Sequence, residues 1–155
     1  KNHGTNFKYY GVDIFETDEI YKNEIAPSLK INNPLKKFYF KYVKGYHPYS
    51  MEAVQDLLKV YKNNIQLIKG NSNQLLKDIQ INNIDLIFID GGHDYSTVKN
   101  DLDQSKKIIS QNGTILCDDY NLSYAEGVKK AIDEFIKGNS CKYEILLERF
   151  VKINL

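Results

Sequence analysis

The chain predicts an α/β fold: a doubly wound, mostly parallel sheet ending in an antiparallel strand pair. Three observations carry this. Short apolar runs alternate with segments of helical spacing along most of the 155 residues. The run Ile84–Ile89 (IDLIFI) is apolar on both faces, as in a parallel strand covered on two sides. The last two runs, Tyr143–Leu147 and Phe150–Ile153, lie too close together for a helical crossover, so they must pair antiparallel.

The elements follow in order. Phe7–Ile14 (FKYYGVDI), rich in aromatic and branched residues, reads as a strand that ends at Asp13. Thr17–Ala26 has room for a short helix, and Asn32–Pro34 breaks the chain. Ser50 is placed to cap a helix through Tyr61, with Met51, Val54, Leu57, Leu58 and Tyr61 on one face. Ile65–Lys69 is a strand stopped by Gly70, and Asn73–Ile79 is a short helix. After the strand Ile84–Ile89 comes a helix over Ser96–Ser110, with Val98, Leu102, Ile108 and Ile109 turned inward. Asn112-Gly113 is expected to end it, and Thr114–Cys117 to start the next buried strand. Tyr124–Ile136 is helical.

Composition narrows the function. The length favours one domain, and 42% apolar residues suffice for a core. No run approaches the ~20 apolar residues of a membrane span, and the first residues lack the apolar centre of a signal peptide. A net charge of +1 singles out no polyanionic partner. Cys117 and Cys141 form no disulfide framework, and a thiol within an apolar run suits a reducing, cytoplasmic setting. There are twenty lysines and one arginine, which we attribute to genome composition.

In open α/β sheets, ligands bind beyond the carboxyl ends of the strands. Here those ends read Asp13, then Gly70-Asn71-Ser72, then Asp90-Gly91-Gly92-His93, then Asp118-Asp119. One strand–helix–strand unit separates Asp90 from Asp118, so if the two strands are neighbours their ends lie ~5 Å apart. Carboxylates that close need a cation or shared protons. A hard divalent ion such as Mg²⁺ meets that need; helix or turn capping by each aspartate is the plainer alternative. His93, at the mouth of the same cleft, reads either as a general base or substrate-orienting group, or as an ordinary loop histidine. His3 and His47 have no comparable surroundings and read as surface residues.

The stretch "IDLIFIDGGHDYSTVKNDL", followed by "NGTILCDDYN" and "EGVKKAIDEFI", resembles the class I S-adenosylmethionine-dependent methyltransferases. It is similar in particular to the metal-dependent O-methyltransferase branch, which includes catechol-type and macrolide-sugar-type enzymes. The likeness runs from Tyr9 to about Leu147 and is most specific over Ile84–Ile136. It implies a Rossmann-like fold and S-adenosylmethionine as cofactor. It also implies a small-molecule or sugar hydroxyl as acceptor. Asp13 would hold the cofactor's ribose hydroxyls. Asn71, flanked by Gly70 and Ser72, would lie near the adenine amino group, where relatives often carry aspartate. Asp90, which also borders the cofactor, would join Asp118 and Asp119 as metal ligands. His93 would stand where catechol-type enzymes carry a lysine base, with the metal-bound Asp90 the other candidate to take the proton.

The family fold opens with a strand and a glycine-rich turn for the methionine half of the cofactor. The lone Gly4 before Asp13 does not supply that turn. We therefore expect the chain to be a piece of a larger protein or a degenerate relative. A non-catalytic methyltransferase-like module used for binding or assembly is the alternative to an enzyme. A metal-dependent phosphohydrolase would use the same acidic cluster, but no phosphate loop or nucleophile signature accompanies it.

Lys30–Ser50 carries five lysines, six Phe or Tyr residues and no acid. Such interleaving can bind single-stranded nucleic acid or stack on sugars. Aromatics packed on the domain are the plainer explanation, ahead of a substrate lid or a homo-oligomer contact, and near-neutral net charge disfavours nucleic acid.

Overall fold

The computed structural model of the chain describes residues 6–15 and 32–155. The predicted helix Thr17–Ala26, His3 and Gly4 lie outside them. The described residues fall into two compact units, one through 6–15 and 32–71, the other from Ser72 to Leu155.

In the first unit, β1 (Tyr9–Asp13) pairs in parallel with β2 (Ile65–Lys69), Tyr9 opposite Ile65 and Asp13 opposite Lys69. The Gly70 N–H donates to the Asp13 carbonyl (2.9 Å), so the two carboxyl ends finish side by side. Asn32–Pro34, expected to break the chain, instead starts a helix. The Asn33 side chain caps α1 (Pro34–Phe38), and proline at the first helical position loses no bond. This helix widens into a π-helical stretch, Tyr39–Lys44, which Gly45 ends at φ 75°. Ser50 caps α2 (Met51–Leu57) through the Ala53 N–H; a 3₁₀ turn, Lys59–Tyr61, takes up the rest of the predicted helix.

In the second unit the strand order is β3-β4-β6-β5. β3 (Ile84–Ile89) and β4 (Ile109–Cys117) run parallel. β6 (Phe150–Asn154) is antiparallel both to β4 and to β5 (Lys142–Leu146), as the short link between the final strands requires. Three helices belong to this unit: α3 (Ser72–Asp78), α4 (Tyr95–Ile108) and α5 (Glu126–Asn139). Its core joins Ile89 of β3, Val98 and Leu102 of α4, Ile115 and Cys117 of β4, Ala131, Ile132 and Phe135 of α5, and Val151 and Ile153 of β6. α4 and α5 meet closely at their first turns. A Cβ on Gly127 would lie 2.7 Å from the Tyr95 nitrogen, so the contact requires glycine.

Two expectations need correction. Asn112-Gly113 does not separate a helix from a strand, because β4 already begins at Ile109. The β3–β4 register jumps there, from Ile84 opposite Ile109 to Leu86 opposite Thr114, and Asn112-Gly113 lies inside this irregularity. A Cβ at Gly113 would fall 2.8 Å from the Ile84 carbonyl oxygen, so the irregularity needs the bare backbone. The second concerns β3. Ile87 and Ile89 pack on the core, whereas Leu86 and Phe88 on the opposite face are 61% and 52% exposed. Among the described residues no helix is long and apolar enough to cross a membrane.

Candidate active site

The parallel pairing of β3 and β4 places Ile89 opposite Cys117, so Asp90 and Asp118 leave adjacent strands at the same level. The Asp118 N–H still donates to the Ile89 carbonyl (2.9 Å), which fixes that level. Asp119 follows in the left-handed region, at φ 61°. This turns its carboxylate back toward the other two. One oxygen from each of Asp90, Asp118 and Asp119 lies within 4.8 Å of the others.

None of the three caps a helix. The cap of α4 is Asp94, whose side chain accepts the Thr97 N–H (3.0 Å), and α5 has no side-chain cap. Asp118 Oδ1 does accept the neighbouring Asp119 N–H (2.6 Å), a local turn contact of the plainer kind.

Their surroundings differ. Asp118 is buried (7% exposed), which pushes its carboxyl up; Arg149 and the Asp119 N–H outweigh that and hold it below the usual range. Arg149 grips it with two bonds, Nε to Oδ1 (2.5 Å) and Nη2 to Oδ2 (2.7 Å). Asp119 Oδ2 lies 2.9 Å from His93 Nε2, and its Oδ1 is 3.4 Å from Arg149 Nη2. Asp90 is pushed the other way. Partial loss of hydration comes first, then repulsion from Asp118 and Asp119, and its carboxyl rises above the usual range. Its side chain accepts no hydrogen bond among the described residues.

His93 lies beside the carboxylates, bonded to Asp119 and flanked by Tyr124 at 6.2 Å between ring centroids. His47, expected at the surface, is half-buried in the other unit beside Tyr49, whose N–H donates to its Nδ1 (3.4 Å). Gly91 and Gly92, with Ile89, Val98, Cys117 and Val128, complete the lining of a small, partly open space beside the carboxylates.

Sequence reasoning missed Arg149. It is the only arginine in the chain, which was a usable signal. Its delivery depends on β6 pairing with β4, where Cys117 faces Val151 and the residues before Val151 come level with those after Cys117.

The donors fit a hard divalent cation. All are carboxylate oxygens, the type that Mg²⁺ and Ca²⁺ select. Asp90, unbonded and destabilised as an anion, is the group such an ion would relieve most.

Asp13 belongs to the first unit. It sits at the carboxyl end of β1, the position expected, and is exposed. Its Oδ1 accepts the Phe15 N–H (2.6 Å), while Oδ2 accepts nothing among the described residues. An acceptor of that kind fits paired hydroxyls. Beside it Gly70 adopts φ 152°, a conformation that disfavours any side chain, and Asn71 follows. Ser72 opens α3, and Asn73 in its first turn donates to Thr97 of α4 (3.1 Å).

Residues 1–120 match a protein family described as "Methyltransferase domain". An uncharacterized protein, R132, of Acanthamoeba polyphaga mimivirus is 28% identical over 156 residues, covering 86% of this chain and 70% of the viral one. Among solved structures, the O-methyltransferase NovP aligns with a TM-score of 0.66 at 17% identity, covering 95% of this chain and 59% of NovP. CalS11, a TDP-rhamnose 3'-O-methyltransferase of calicheamicin biosynthesis, aligns at 0.65 and 13% identity, covering 98% and 60%. At such identities the likeness is one of fold. The chain spans about 60% of the length of these two enzymes.

Proposed function

The chain belongs to the methyltransferase-domain family, and from that premise we propose that it acts in S-adenosylmethionine-dependent O-methylation. The acceptor would be a hydroxyl of a small molecule or sugar, and a hard divalent cation such as Mg²⁺ would assist. The observation that carries the reading is the convergence of Asp90, Asp118 and Asp119 at the carboxyl ends of two parallel strands, with His93 bonded to Asp119. The two units are then parts of one methyltransferase domain, and a cytoplasmic setting suits the two free thiols.

Asp90, Asp118 and Asp119 would hold the cation, which when bound lowers the pKa of a ligated hydroxyl while the cofactor supplies the methyl group. His93 takes the hydroxyl proton. With Nε2–H directed at Asp119, the basic lone pair is on Nδ1, and the Asp119 carboxylate stabilises the imidazolium that forms. Asp13 would accept the cofactor's ribose hydroxyls, and Gly70, Asn71 and Ser72 would line its adenine end. Burial of Ile89 and Val98 behind the carboxylates keeps bulk water from that side and strengthens each polar contact there.

One observation favours the second reading, a non-catalytic binding module. Arg149 already supplies the acidic centre with a positive charge. A single set of titrations separates the two. Calorimetry of S-adenosylmethionine into the full chain, with Mg²⁺ or with EDTA, should show binding. Transfer of a labelled methyl group to a panel of phenols and nucleotide sugars should stop in EDTA and resume with Mg²⁺. No cofactor binding under either condition would favour the module, and EDTA-resistant transfer would remove the metal from the mechanism.

A further inference from the structure

We propose that Arg149 is a built-in counter-cation of the acidic centre, which competes with a divalent cation for Asp118 and swings off when that cation binds. This rests on the metal-assisted reading above.

A count of lone pairs motivates it. A carboxylate offers about four acceptor directions. Asp118 Oδ1 receives Arg149 Nε and the Asp119 N–H, and Oδ2 receives Arg149 Nη2. One direction remains. A cation ligated by Asp118 as well as by Asp90 and Asp119 therefore meets the guanidinium on Asp118, while Arg149 also leans on Asp119 at 3.4 Å. Two cations cannot share so small a cluster without repulsion.

The backbone is built to deliver Arg149 there. It ends the three-residue turn between β5 and β6, with its N–H on the Leu146 carbonyl (3.1 Å) and its carbonyl accepting the Tyr120 N–H (2.9 Å). The turn residues Leu147 and Glu148 have φ 53° and 55°. Tight hairpins use that geometry, but usually with Asn or Gly, because most side chains bring Cβ too close to the following carbonyl oxygen in it. The Asn121 side chain clamps the Glu148 carbonyl (2.7 Å) and ties the strained turn to the loop after Asp119. Strain kept in place by such bonds is characteristic of functional positions.

The side chain is nevertheless free to leave. It is 56% exposed, whereas the side chain of Asp118 is 5% exposed. In this position its guanidinium also lies 5.2 Å from the Phe150 ring. Asp118 would thus never be an uncompensated buried charge: Arg149 covers it before the cation arrives and gives way afterwards.

Because the chain has one arginine, its Nε–Hε NMR signal is unambiguous. In metal-free protein that signal should be shifted by the Asp118 bond and slow to exchange with water. Mg²⁺ should move it to the position of a free guanidinium, along the same saturation curve that calorimetry gives for Mg²⁺. In parallel, Arg149→Met should bind Mn²⁺ more tightly by roughly tenfold, within the usual span of coupling between two sites, and Arg149→Lys should fall between. Saturating Mg²⁺ that leaves the Nε–Hε signal unmoved, or Arg149→Met that binds Mn²⁺ no better than the parent, would overturn the counter-cation role while leaving the metal reading intact. Absence of metal binding in both parent and Arg149→Met would overturn both. The NMR titration needs no variant, so it stands even if Arg149→Met folds poorly.

Discussion

Replacing Asp118 by alanine removes the acceptor of three donors, two from Arg149 and one from Asp119, and opens the best-buried corner of the acidic centre. Losing one partner of a fully buried ion pair costs ~3–5 kcal/mol. Here the orphaned guanidinium is 56% exposed and rehydrates, so the cost should fall toward the ~1.5–3 kcal/mol of a lost charged hydrogen bond. Relief of repulsion on Asp90, whose carboxyl is raised partly by Asp118, offsets some of that. We expect a net loss of about 1–2 kcal/mol, or roughly 2–8 °C in Tm for a chain of this size. The fold should survive, since the carboxylate lies at the end of β4 and not within the core. Thermal unfolding followed by circular dichroism gives the first number, and Mn²⁺ binding should fall at least about tenfold. A variant that unfolds at room temperature would show that Asp118 is structural. One that keeps the parent's Mn²⁺ affinity would show that Asp118 is not a ligand.

Gly113→Ala should destabilise by ~1–3 kcal/mol, because its Cβ meets the Ile84 carbonyl oxygen and Ile109; an unchanged midpoint in urea would mean the β3–β4 irregularity is soft. Asp56 accepts Lys44 Nζ (2.6 Å) and the Tyr46 hydroxyl (2.7 Å), which hold its carboxyl at about 2, below the usual 3.8. Its contribution should therefore be complete above pH ~4 and lost as pH falls through about 2; Asp56→Asn should flatten that acid limb in tyrosine fluorescence, and an identical limb would refute the assignment. Burial, aided by Asp101, pushes the Cys117 thiol up to about 12. The folded state then keeps a proton that the unfolded chain releases, so stability should be intact below pH ~8.5 and fall by up to ~1.4 kcal/mol per unit above it. Cys117→Ala should lose that slope, and a parent curve flat to pH 11 would contradict it.

What the sequence revealed depended on how local the cause was. β2 and β3 begin and end where their apolar runs do, because Gly70 and Asp90 stop them within one residue. The acidic centre was legible because parallel neighbours align their carboxyl ends, so three aspartates after two adjacent strands had to meet. The start of β4 was not legible. Its first residues, Ile-Ser-Gln-Asn-Gly, carry turn chemistry, and only the pairing of Ile84 with Ile109 makes them a strand. Asn33-Pro34 misled in the opposite sense, since the same residues that break a helix interior also begin one. Arg149 was hidden because 31 residues and an antiparallel register separate it from Asp118.

The central claim is that Asp90, Asp118 and Asp119 share one hard divalent cation. Anomalous diffraction from crystals of the chain grown with Mn²⁺ tests it most directly. The account predicts one strong peak in direct coordination, about 2.1 Å from an oxygen of each carboxylate, with Arg149 turned away from Asp118. Saturating Mn²⁺ with no peak among the three carboxylates, and Arg149 still on Asp118, would contradict it.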